Sequence, residues 1–579
     1  MIRPPRAGAA LAAAACFAIP AAAGVEIDEN VSARFERGRE IVLEAFPEKG
    51  EGYLSLARRL CGSPDKAAAL QAANRGLPPI LGRPLVVPWD LVRQEYRLLA
   101  LRALFPEDRF EDGAWIHFPS AAKGLNHAES LWQVASWFAG DGEKWLEIAR
   151  ANGLSGPELP RGRPVRVPEA LLLEPFRPQE RSEDGRLEYA RDASGPVAVY
   201  RLRKGEALYS AVVLRFTGLV EQDDVNRAVE RIAKRSGIDD VRKLPVGFPV
   251  KIPFDLLDTS YLPRHHPRRV LARIHASELT SVRVPRRKAS LDGVHVILDP
   301  GHGGADLGAR HNGVWESDYL YDVACRVKKI LEERTAATVH MTVRDPQQGC
   351  RVVDARKLEA NRREVVATHP PYPIRGGRST KVSVNLRWYL ANDIYRSLVK
   401  KGVPESNVVF VSLHADARHR SLRGAMVYIP GERYRRGTHA MRASSVYRKF
   451  AEWRSGPRVS LSRRERLRDE VISRRLAEAI LRAWRERKLP VHSTRPIRDH
   501  VVRSSRRGRT SRWLPAVLRG NIVPGKVLLE LVNISNPSDA KLLADPAGRA
   551  RMAESLAEGL KRFFESGETG GAGRVARRR

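Results

Sequence analysis

Cysteine is scarce in this chain, with only four among 579 residues. Cys16 lies in an N-terminal apolar run, which leaves Cys61, Cys325 and Cys350 for the rest of the protein. Three scattered cysteines are too few for the disulfide framework that holds small exported domains together. At most one bridge can form, and one thiol must remain. Since cysteine often serves as a small core residue, we expect all three to be unpaired.

The N-terminal apolar run, Leu11–Ala23, is short. A membrane-spanning helix needs about 20 apolar residues, so we expect no transmembrane anchor here. Two arginines in Met1–Arg6 precede the run, and small residues end it at Ala21–Ala23, an order typical of a secretory signal. The apolar residues after Cys16 argue against a lipoprotein signal. We therefore expect residues 1–24 to be a cleaved signal peptide and the protein to be exported, to the periplasm or cell envelope.

Acidic residues are few: 67 Asp and Glu stand against 101 Lys and Arg, which gives a formal net charge of +34. The hydrophobic share of 42% excludes a disordered polyelectrolyte. A charge of this size attracts polyanions. Outside the cytoplasm these are anionic envelope polymers and peptidoglycan. Because no nucleic-acid motif is present, we expect no nucleic-acid partner.

Three segments before Pro263 share one pattern, which indicates an internal repeat. Each has two helix-spaced apolar stretches followed by a short strand, which reads Gly-x-Pro-φ-x-φ-Pro at Gly82–Pro88 and at Gly162–Pro168. In the third segment the helical part is longer. Residues 258–290, rich in Pro, Arg and His with little apolar periodicity, are predicted to be a linker.

This order of helix, helix and strand resembles the LysM peptidoglycan-binding module, which has a strand on each side of two helices and binds glycans containing N-acetylglucosamine. By that resemblance we predict small α+β LysM-like repeats at 43–92 and 110–172, and a divergent one at 197–257. The alternative is that the three segments are small α+β units without this activity.

From Leu291 onward, apolar strands alternate with amphipathic helices, which predicts an α/β domain over 291–566. One strand, Val294–Asp299, runs into a Gly-rich loop that contains His302, and another ends at His414. Glu316 precedes a periodic helix, and Glu530 lies near the end of the strand KVLLEL. Residues 567–579 are predicted to be a basic disordered tail.

His302, Glu316 and His414 form a His₂Glu set, the type of ligand set that holds catalytic zinc and leaves a fourth position to water. Zinc activates that water and polarises a bound carbonyl. A further carboxylate must then move the proton to the leaving amine. Glu530 is the candidate, because an unpaired carboxylate in an apolar strand is costly unless it faces a cleft.

The stretches around these residues resemble the zinc-dependent N-acetylmuramoyl-L-alanine amidases of cell-wall hydrolysis. The matching stretches are VILDPGHGGADLGARHNGVWESDYLYDVACRVKKIL, TVRD, LRWYLAND, VSLHADA and VLLELVNISNPSDAKLL. The resemblance implies a mixed or parallel central sheet flanked by helices, Zn²⁺ on His302, Glu316 and His414, and Glu530 as general base and acid. It also implies cleavage of the amide between N-acetylmuramic acid and L-alanine in peptidoglycan. The alternative is a catalytically silent peptidoglycan-binding or scaffold protein.

Two insertions depart from the family pattern, near 346–383 and 433–475. The second holds 14 Lys and Arg against four acidic residues. Some periplasmic relatives carry a helix here that covers the zinc site until an activator protein removes it. The hypothesis is that 433–475 gates the site and attracts anionic envelope polymers; the alternative is a solvated basic loop. A second basic run, Arg503–Arg512, is suited to phosphate or carboxylate groups.

Overall fold

A computed structural model describes residues 24–36, 40–119, 129–159, 162–284, 290–311, 313–440, 445–504 and 510–565. The predicted signal peptide up to Ala23 and the predicted tail lie outside these ranges. Within them, no helix is long and apolar enough to cross a membrane. The chain divides into two compact units, one formed by Met1–Pro47 with Tyr53–Arg177 and the other by Glu48–Gly52 with Pro178–Arg579.

The first repeat segment, predicted at 43–92, forms two helices between antiparallel strands together with the residues that precede it. The strands are β1 (Val25–Asp28), β2 (Val31–Glu36), β3 (Glu40–Ala45) and β4 (Leu85–Pro88), with helices α1 (Tyr53–Leu56) and α2 (Ala67–Ala73) between β3 and β4. They pair in the order β1, β2, β3, β4. The Asn74 side chain joins the end of α2 to β4: it donates to Leu70 O and Val86 O, each at 2.8 Å, and accepts from Val86 N at 2.9 Å.

The second repeat segment repeats the order strand, helix, helix and strand, with a further helix before it. The elements are α3 (Gln94–Leu104), β5 (Arg109–Glu111), β6 (Ala114–His117), α4 (Leu131–Phe138), α5 (Trp145–Ala151) and β7 (Val165–Pro168). Strand β6 pairs antiparallel with β5 and β7. Asn152 repeats the contacts of the first segment, since it donates to Ile148 O at 2.7 Å and Arg166 O at 2.8 Å and accepts from Arg166 N at 2.9 Å. The repeat is thus built twice in the same way.

The third repeat segment lies in the second unit. It comprises β8 (Glu188–Asp192), β9 (Gly195–Arg201), α6 (Leu214–Phe216), α7 (Gln222–Ser236) and β10 (Pro249–Pro253). Strand β9 pairs antiparallel with β8 and β10, so two helices again lie between paired strands. Helix α7 has 15 residues, against seven in α2 and in α5, which is the longer helical part expected from the sequence.

The segment predicted as a linker, 258–290, contains helix α8 (Pro267–Ser281). Pro267 occupies the first helical position, where its missing N–H is no loss. The buried side chains of the helix are Val270, Ile274, His275 and Glu278. Two of these four are polar and are paired, His275 with Glu470 and Glu278 with Arg463. Apolar periodicity therefore did not reveal a helix that packs against the rest of the second unit.

The remaining elements follow from residue 295. The strands are β11 (His295–Pro300), β12 (Arg310–His311), β13 (Val314–Trp315), β14 (Thr338–Met341), β15 (Val343–Arg344), β16 (Val365–Val366), β17 (Tyr372–Pro373), β18 (Val408–Asp416), β19 (Met426–Tyr428), β20 (Thr438–Ala440), β21 (Arg458–Ser460), β22 (Ile497–Arg498), β23 (Val501–Ser504), β24 (Thr510–Trp513) and β25 (Gly525–Asn533). The helices are α9 (Glu316–Arg334), α10 (Arg378–Lys400), α11 (Ser445–Arg448), α12 (Ala451–Ser455), α13 (Arg463–Glu486), α14 (Ala516–Arg519), α15 (Pro537–Ala544) and α16 (Pro546–Glu565).

Six of these strands form the central sheet, in the order β14, β11, β18, β25, β19, β22. All neighbours are parallel except β19 and β25. The sheet is therefore mixed and mostly parallel, and the predicted α/β class is confirmed. The carboxyl ends of β11, β18 and β25 lie side by side, which is where open α/β sheets place their sites.

Helices cover both faces of the sheet, because its strands are apolar on both sides. On one face, Val296, Val411 and Leu529 belong to a core that includes side chains of α9, α13 and α16. On the other, Ile297 and Phe410 pack in a cluster with residues of α10 and α14. Each fully buried aliphatic side chain contributes about 1.5–3 kcal/mol, so this double layer fixes the strand ends that carry the site.

The first insertion is tied to α9 by a disulfide between Cys325 and Cys350. The expectation that all three cysteines are unpaired was therefore wrong for this pair, while Cys61 is a buried free thiol as expected. The chain leaves the sheet after β14 and returns past α9, which brings two cysteines 25 positions apart to a Cα separation of 5.3 Å. The hydroxyl of Tyr321 also donates to Gly349 O at 3.0 Å.

The second insertion, 433–475, packs against α10 and continues into the core. Val459 and Leu461 lie in one apolar cluster with Trp388 and Tyr389 of α10, and the last part of the segment is the start of α13. Within its described residues, 433–440 and 445–475, no hydrogen bond or ion pair reaches His302, Glu316, His414 or Glu530. The gating hypothesis therefore gains no support from these contacts.

Candidate active site

His302 stands just beyond the end of β11 in a left-handed backbone conformation, with φ of +60°. The buried Arg387 of α10 holds this turn: its guanidinium donates to Asp299 Oδ1 at 2.9 Å and to the carbonyl oxygen of His302. Asp299 also accepts from Ser412 Oγ on β18 at 2.6 Å. Arg387, which lies in the stretch LRWYLAND, thus fixes the backbone of the first candidate ligand.

Glu316 is the first residue of α9, where the positive end of the helix favours a carboxylate. Its Oε1 lies 2.9 Å from His414 Nδ1 and accepts from Ala415 N at 3.0 Å. Its Oε2 lies 3.2 Å from His302 Nε2 and accepts from Ala309 N at 2.9 Å. The carboxylate therefore lies between the two imidazoles and is held by two backbone amides.

His302, Glu316 and His414 each offer one ligand atom, and these atoms lie within 4.8 Å of one another. The donor set is two imidazole nitrogens and one carboxylate oxygen, which fits zinc. Two glycines leave room for the side chains of this donor set. A Cβ at Gly301 would lie 2.6 Å from His414 Cε1, and one at Gly308 would lie 2.6 Å from Glu316 Oε2. Neither position accepts a larger residue without a shift of a candidate ligand.

The charged forms of His302 and Glu316 stabilise each other. Burial lowers the pKa of His302, but Glu316 and Asp306 outweigh it and raise the pKa to about 10. Burial raises the pKa of Glu316, but the two imidazoles outweigh it and hold the pKa well below its usual value. Glu316 is therefore a carboxylate at neutral pH, as a metal ligand must be.

Glu530 lies on β25 in register with His414 on β18. It is buried, and its Oε2 has no hydrogen-bond partner among the described residues. Burial raises its pKa, a shift that His414 and Arg418 partly oppose. An orphaned carboxylate oxygen on a residue in register with a candidate metal ligand is the feature expected of a group that exchanges a proton with a bound reactant.

Asp416 is a site residue whose role the sequence did not reveal. It hydrogen-bonds with Glu530, and burial together with the Glu530 charge raises its pKa well above the usual value. Arg418 Nε lies 2.6 Å from Asp416 Oδ1, and its guanidinium also contacts Glu221 of the third repeat segment. His414 and Asp416 both lie in the stretch VSLHADA, so the position of Asp416 next to a candidate ligand was visible in the sequence. Glu221, the partner of Arg418, is distant in the sequence.

Two asparagines hold the neighbouring loops. Asn392 donates to Gly520 O and accepts from Ile522 N, both at 2.9 Å, which fixes the approach to β25. Asn533 donates to His419 O at 3.0 Å and to Leu422 O at 2.9 Å, which fixes the loop after β18. Both side chains therefore hold backbone segments next to the strands that carry the candidate site.

Glu364, in the first insertion, lies behind the His302 loop. Its Oε2 accepts from Gly304 N at 3.0 Å, and its Oε1 has no partner among the described residues. Burial raises the pKa of Glu364 to about 8, with smaller opposing and reinforcing effects from its neighbours. The insertion therefore supports the loop of the first candidate ligand with a carboxyl group that is largely protonated at neutral pH.

The segment that carries the candidate site is similar to known proteins. Residues 296–562 match the family model described as N-acetylmuramoyl-L-alanine amidase. The matched segment lies within the α/β domain expected at 291–566 and agrees with the predicted enzyme class. The match leaves the repeat segments outside it.

Two curated relatives each match just under half of the chain. A cell wall amidase of Bacillus anthracis is 27% identical over 277 residues, 48% of this chain and 36% of the relative. The germination-specific N-acetylmuramoyl-L-alanine amidase of Bacillus subtilis is 22% identical over 47% of this chain and 81% of the relative. The chain thus spans about a third of the length of the first relative.

Solved structures similar to this chain include the CwlD amidase of Clostridioides difficile, in complex with the GerS lipoprotein. It is 17% identical and covers 47% of this chain and 98% of that one, with a TM-score of 0.28. The amidase Ami1 of Mycobacterium smegmatis is 19% identical and covers 48% and 99%, with a TM-score of 0.27. With scores this low, the fold assignment rests on the sheet order given above.

Proposed function

We propose that this chain is an exported, zinc-dependent peptidoglycan amidase that hydrolyses the bond between the lactyl group of N-acetylmuramic acid and L-alanine of the stem peptide. One observation carries the proposal: Glu530, whose Oε2 has no partner among the described residues, is in register with His414. His414 belongs to a set of two imidazoles and a carboxylate that offer ligand atoms within 4.8 Å of one another. The family match of residues 296–562 supplies the substrate class.

In this mechanism His302, Glu316 and His414 would hold the zinc ion. Bound zinc supplies a water whose pKa is lowered to about 7 and polarises the scissile carbonyl. Glu530 accepts the proton of the attacking water at Oε2 and donates it to the departing amine of L-alanine. Asp416 hydrogen-bonds with Glu530, and Arg418 holds Asp416 in place.

Zinc content and dye release from labelled peptidoglycan test this proposal together. We expect the wild-type protein to bind one zinc ion and release dye, and Glu530→Gln to keep the zinc ion and lose release by about 100-fold or more. A wild-type protein that binds peptidoglycan without releasing dye would instead be the catalytically silent scaffold.

The repeat segments would hold the enzyme on its polymer and raise the local substrate concentration. Their arrangement of two helices between paired antiparallel strands supports the LysM-like interpretation. In the second segment Trp132 is 52% exposed and lies over Gly142, so its indole offers an apolar face to a sugar ring. In a Glu530→Gln background, Trp132→Ala should weaken binding to insoluble peptidoglycan severalfold. Val353→Ala, an exposed apolar residue of the catalytic domain, is the control.

A further inference from the structure

An open cavity of about 570 Å³ lies in the second unit, lined by α8, α13 and the chain around β22 to β24. It shares no residue with the candidate active site. Its basic lining residues are Arg268, Arg269, Arg433, Arg474, Arg495 and Arg512. Three carboxylates also line it, those of Asp258, Glu470 and Asp499. Arginines from the predicted linker and from both predicted basic segments thus converge on one cavity.

Each of the three carboxylates already has a cationic partner. Asp258 contacts the guanidinium of Arg495. Glu470 lies 3.1 Å from Arg474 and 2.9 Å from His275. The third, Asp499, has its Oδ1 3.7 Å from the guanidinium of Arg495 and 2.8 Å from His500 Nδ1. The three carboxylates are therefore already paired, and part of the positive charge of the arginines in the cavity is not neutralised.

Arg268 and Arg512 carry that unmatched charge. Among the described residues, no carboxylate lies within 4 Å of either guanidinium. Within the part of the chain that the structure describes, the Arg268 guanidinium donates to two neutral oxygens, Leu257 O at 2.9 Å and Thr259 Oγ1 at 3.4 Å. Burial and the positive charge of Arg512 together lower the pKa of Arg268 to about 10. Two cations that repel each other in a partly buried cavity are costly unless an anion joins them.

We propose that this cavity binds an oxyanion group, a phosphate or a carboxylate, between Arg268 and Arg512. The planar fork of arginine matches both groups and can bond each of them through two N–H donors. The face of α8 adds apolar side chains, Leu271 and Leu279, along the same cavity. The ligand therefore has a charged end held by the two arginines and an uncharged part that lies along α8.

Calorimetric titration at low ionic strength tests this proposal, with inorganic phosphate in one arm and succinate in the other. We expect saturable binding to the wild-type protein and to Arg482→Gln, an exposed arginine of α13 outside the cavity. We expect binding at least tenfold weaker in Arg512→Gln and in Arg268→Gln. Because the repulsion is removed, the Tm of Arg512→Gln without phosphate should equal or exceed that of the wild type, which separates lost binding from lost folding.

The two arms distinguish the source of the group. Binding of phosphate alone would assign the cavity to a phosphate-bearing envelope component, and equal binding of succinate would extend it to carboxylates such as those of peptide stems. Absence of binding of either probe at millimolar concentration, or equal binding by all four proteins, would overturn the proposal. The readout does not involve amide hydrolysis, so its failure is distinct from failure of the amidase proposal.

Discussion

Glu530 and His414 are register partners on the neighbouring parallel strands β25 and β18. The pairing of two core strands therefore sets the relative positions of Glu530, the prospective proton carrier, and His414, a prospective metal ligand. No loop conformation is involved. A shift of one residue in this register would turn Glu530 to the opposite face of the sheet. The site thus depends on the apolar residues that fix the two strands.

Loss of Glu316 should weaken metal binding strongly, because its two oxygens lie beside both imidazoles. We expect Glu316→Ala to weaken zinc affinity by more than the roughly 10–100-fold typical of losing a partner outside the ligand set. Asp306→Asn is the matched comparison, since Asp306 Oδ2 lies 3.2 Å from the other nitrogen of His302 and should show that smaller effect. Competition with a chromophoric chelator measures both, and equal affinities would contradict the ligand assignment.

Replacing Arg418 should move the pH profile of hydrolysis. The Arg418 charge lowers the pKa of Glu530, so its removal raises that pKa. A base with a raised pKa is deprotonated only at higher pH, so the acidic limb of kcat/KM should shift upward in Arg418→Ala, with kcat reduced about tenfold or more. The exposed Arg420 provides the control variant, Arg420→Ala. An unshifted limb in Arg418→Ala would show that the arginine has no influence on the proton carrier.

Glu364 should make the protein less stable as pH rises. Its pKa of about 8 in the folded state exceeds the ordinary 4.5, so the folded state binds more protons than the unfolded state between these values. Stability contributed by this group is therefore lost as pH rises from about 4.5 to 8. Glu364→Gln, which keeps an acceptor for Gly304 N, should unfold at higher denaturant concentration than wild type at pH 8 and not at pH 4.5. If the denaturation midpoints of the two proteins depended on pH in the same way, the raised pKa of Glu364 would be refuted.

The Cys325–Cys350 bridge should stabilise the catalytic domain. A bridge that closes a loop of 25 residues contributes roughly 3 kcal/mol in the chain-entropy description. Reductant should lower the Tm of the wild-type protein and leave that of Cys350→Ser unchanged. An unchanged wild-type Tm under reductant would mean that the two thiols are not joined in solution.

The candidate site could largely be predicted from the sequence, because each of its four residues stands at a strand end or at a helix start. The periodicity of the flanking apolar residues identifies those elements, and parallel strands bring their carboxyl ends together. Asp416 could be seen in its stretch, but its bond to Glu530 depends on strand pairing that no local pattern encodes.

Features that depend on distant contacts could not be predicted. Glu221 meets Arg418 only because the third repeat segment packs beside β18, and helix α8 buries His275 and Glu278 where a periodic helix would bury apolar residues. The arginines of the cavity come from segments that appear in the sequence as separate basic runs. Their common location is a property of tertiary packing, which composition and spacing do not record.

Mass spectrometry of the fragments released from purified peptidoglycan tests the central claim most directly. The account predicts intact stem peptides with a free L-alanine amine, released by the wild-type protein with zinc and not by Glu530→Gln. Release of shortened stems or of cleaved glycan strands, or release that persists in Glu530→Gln, would contradict it.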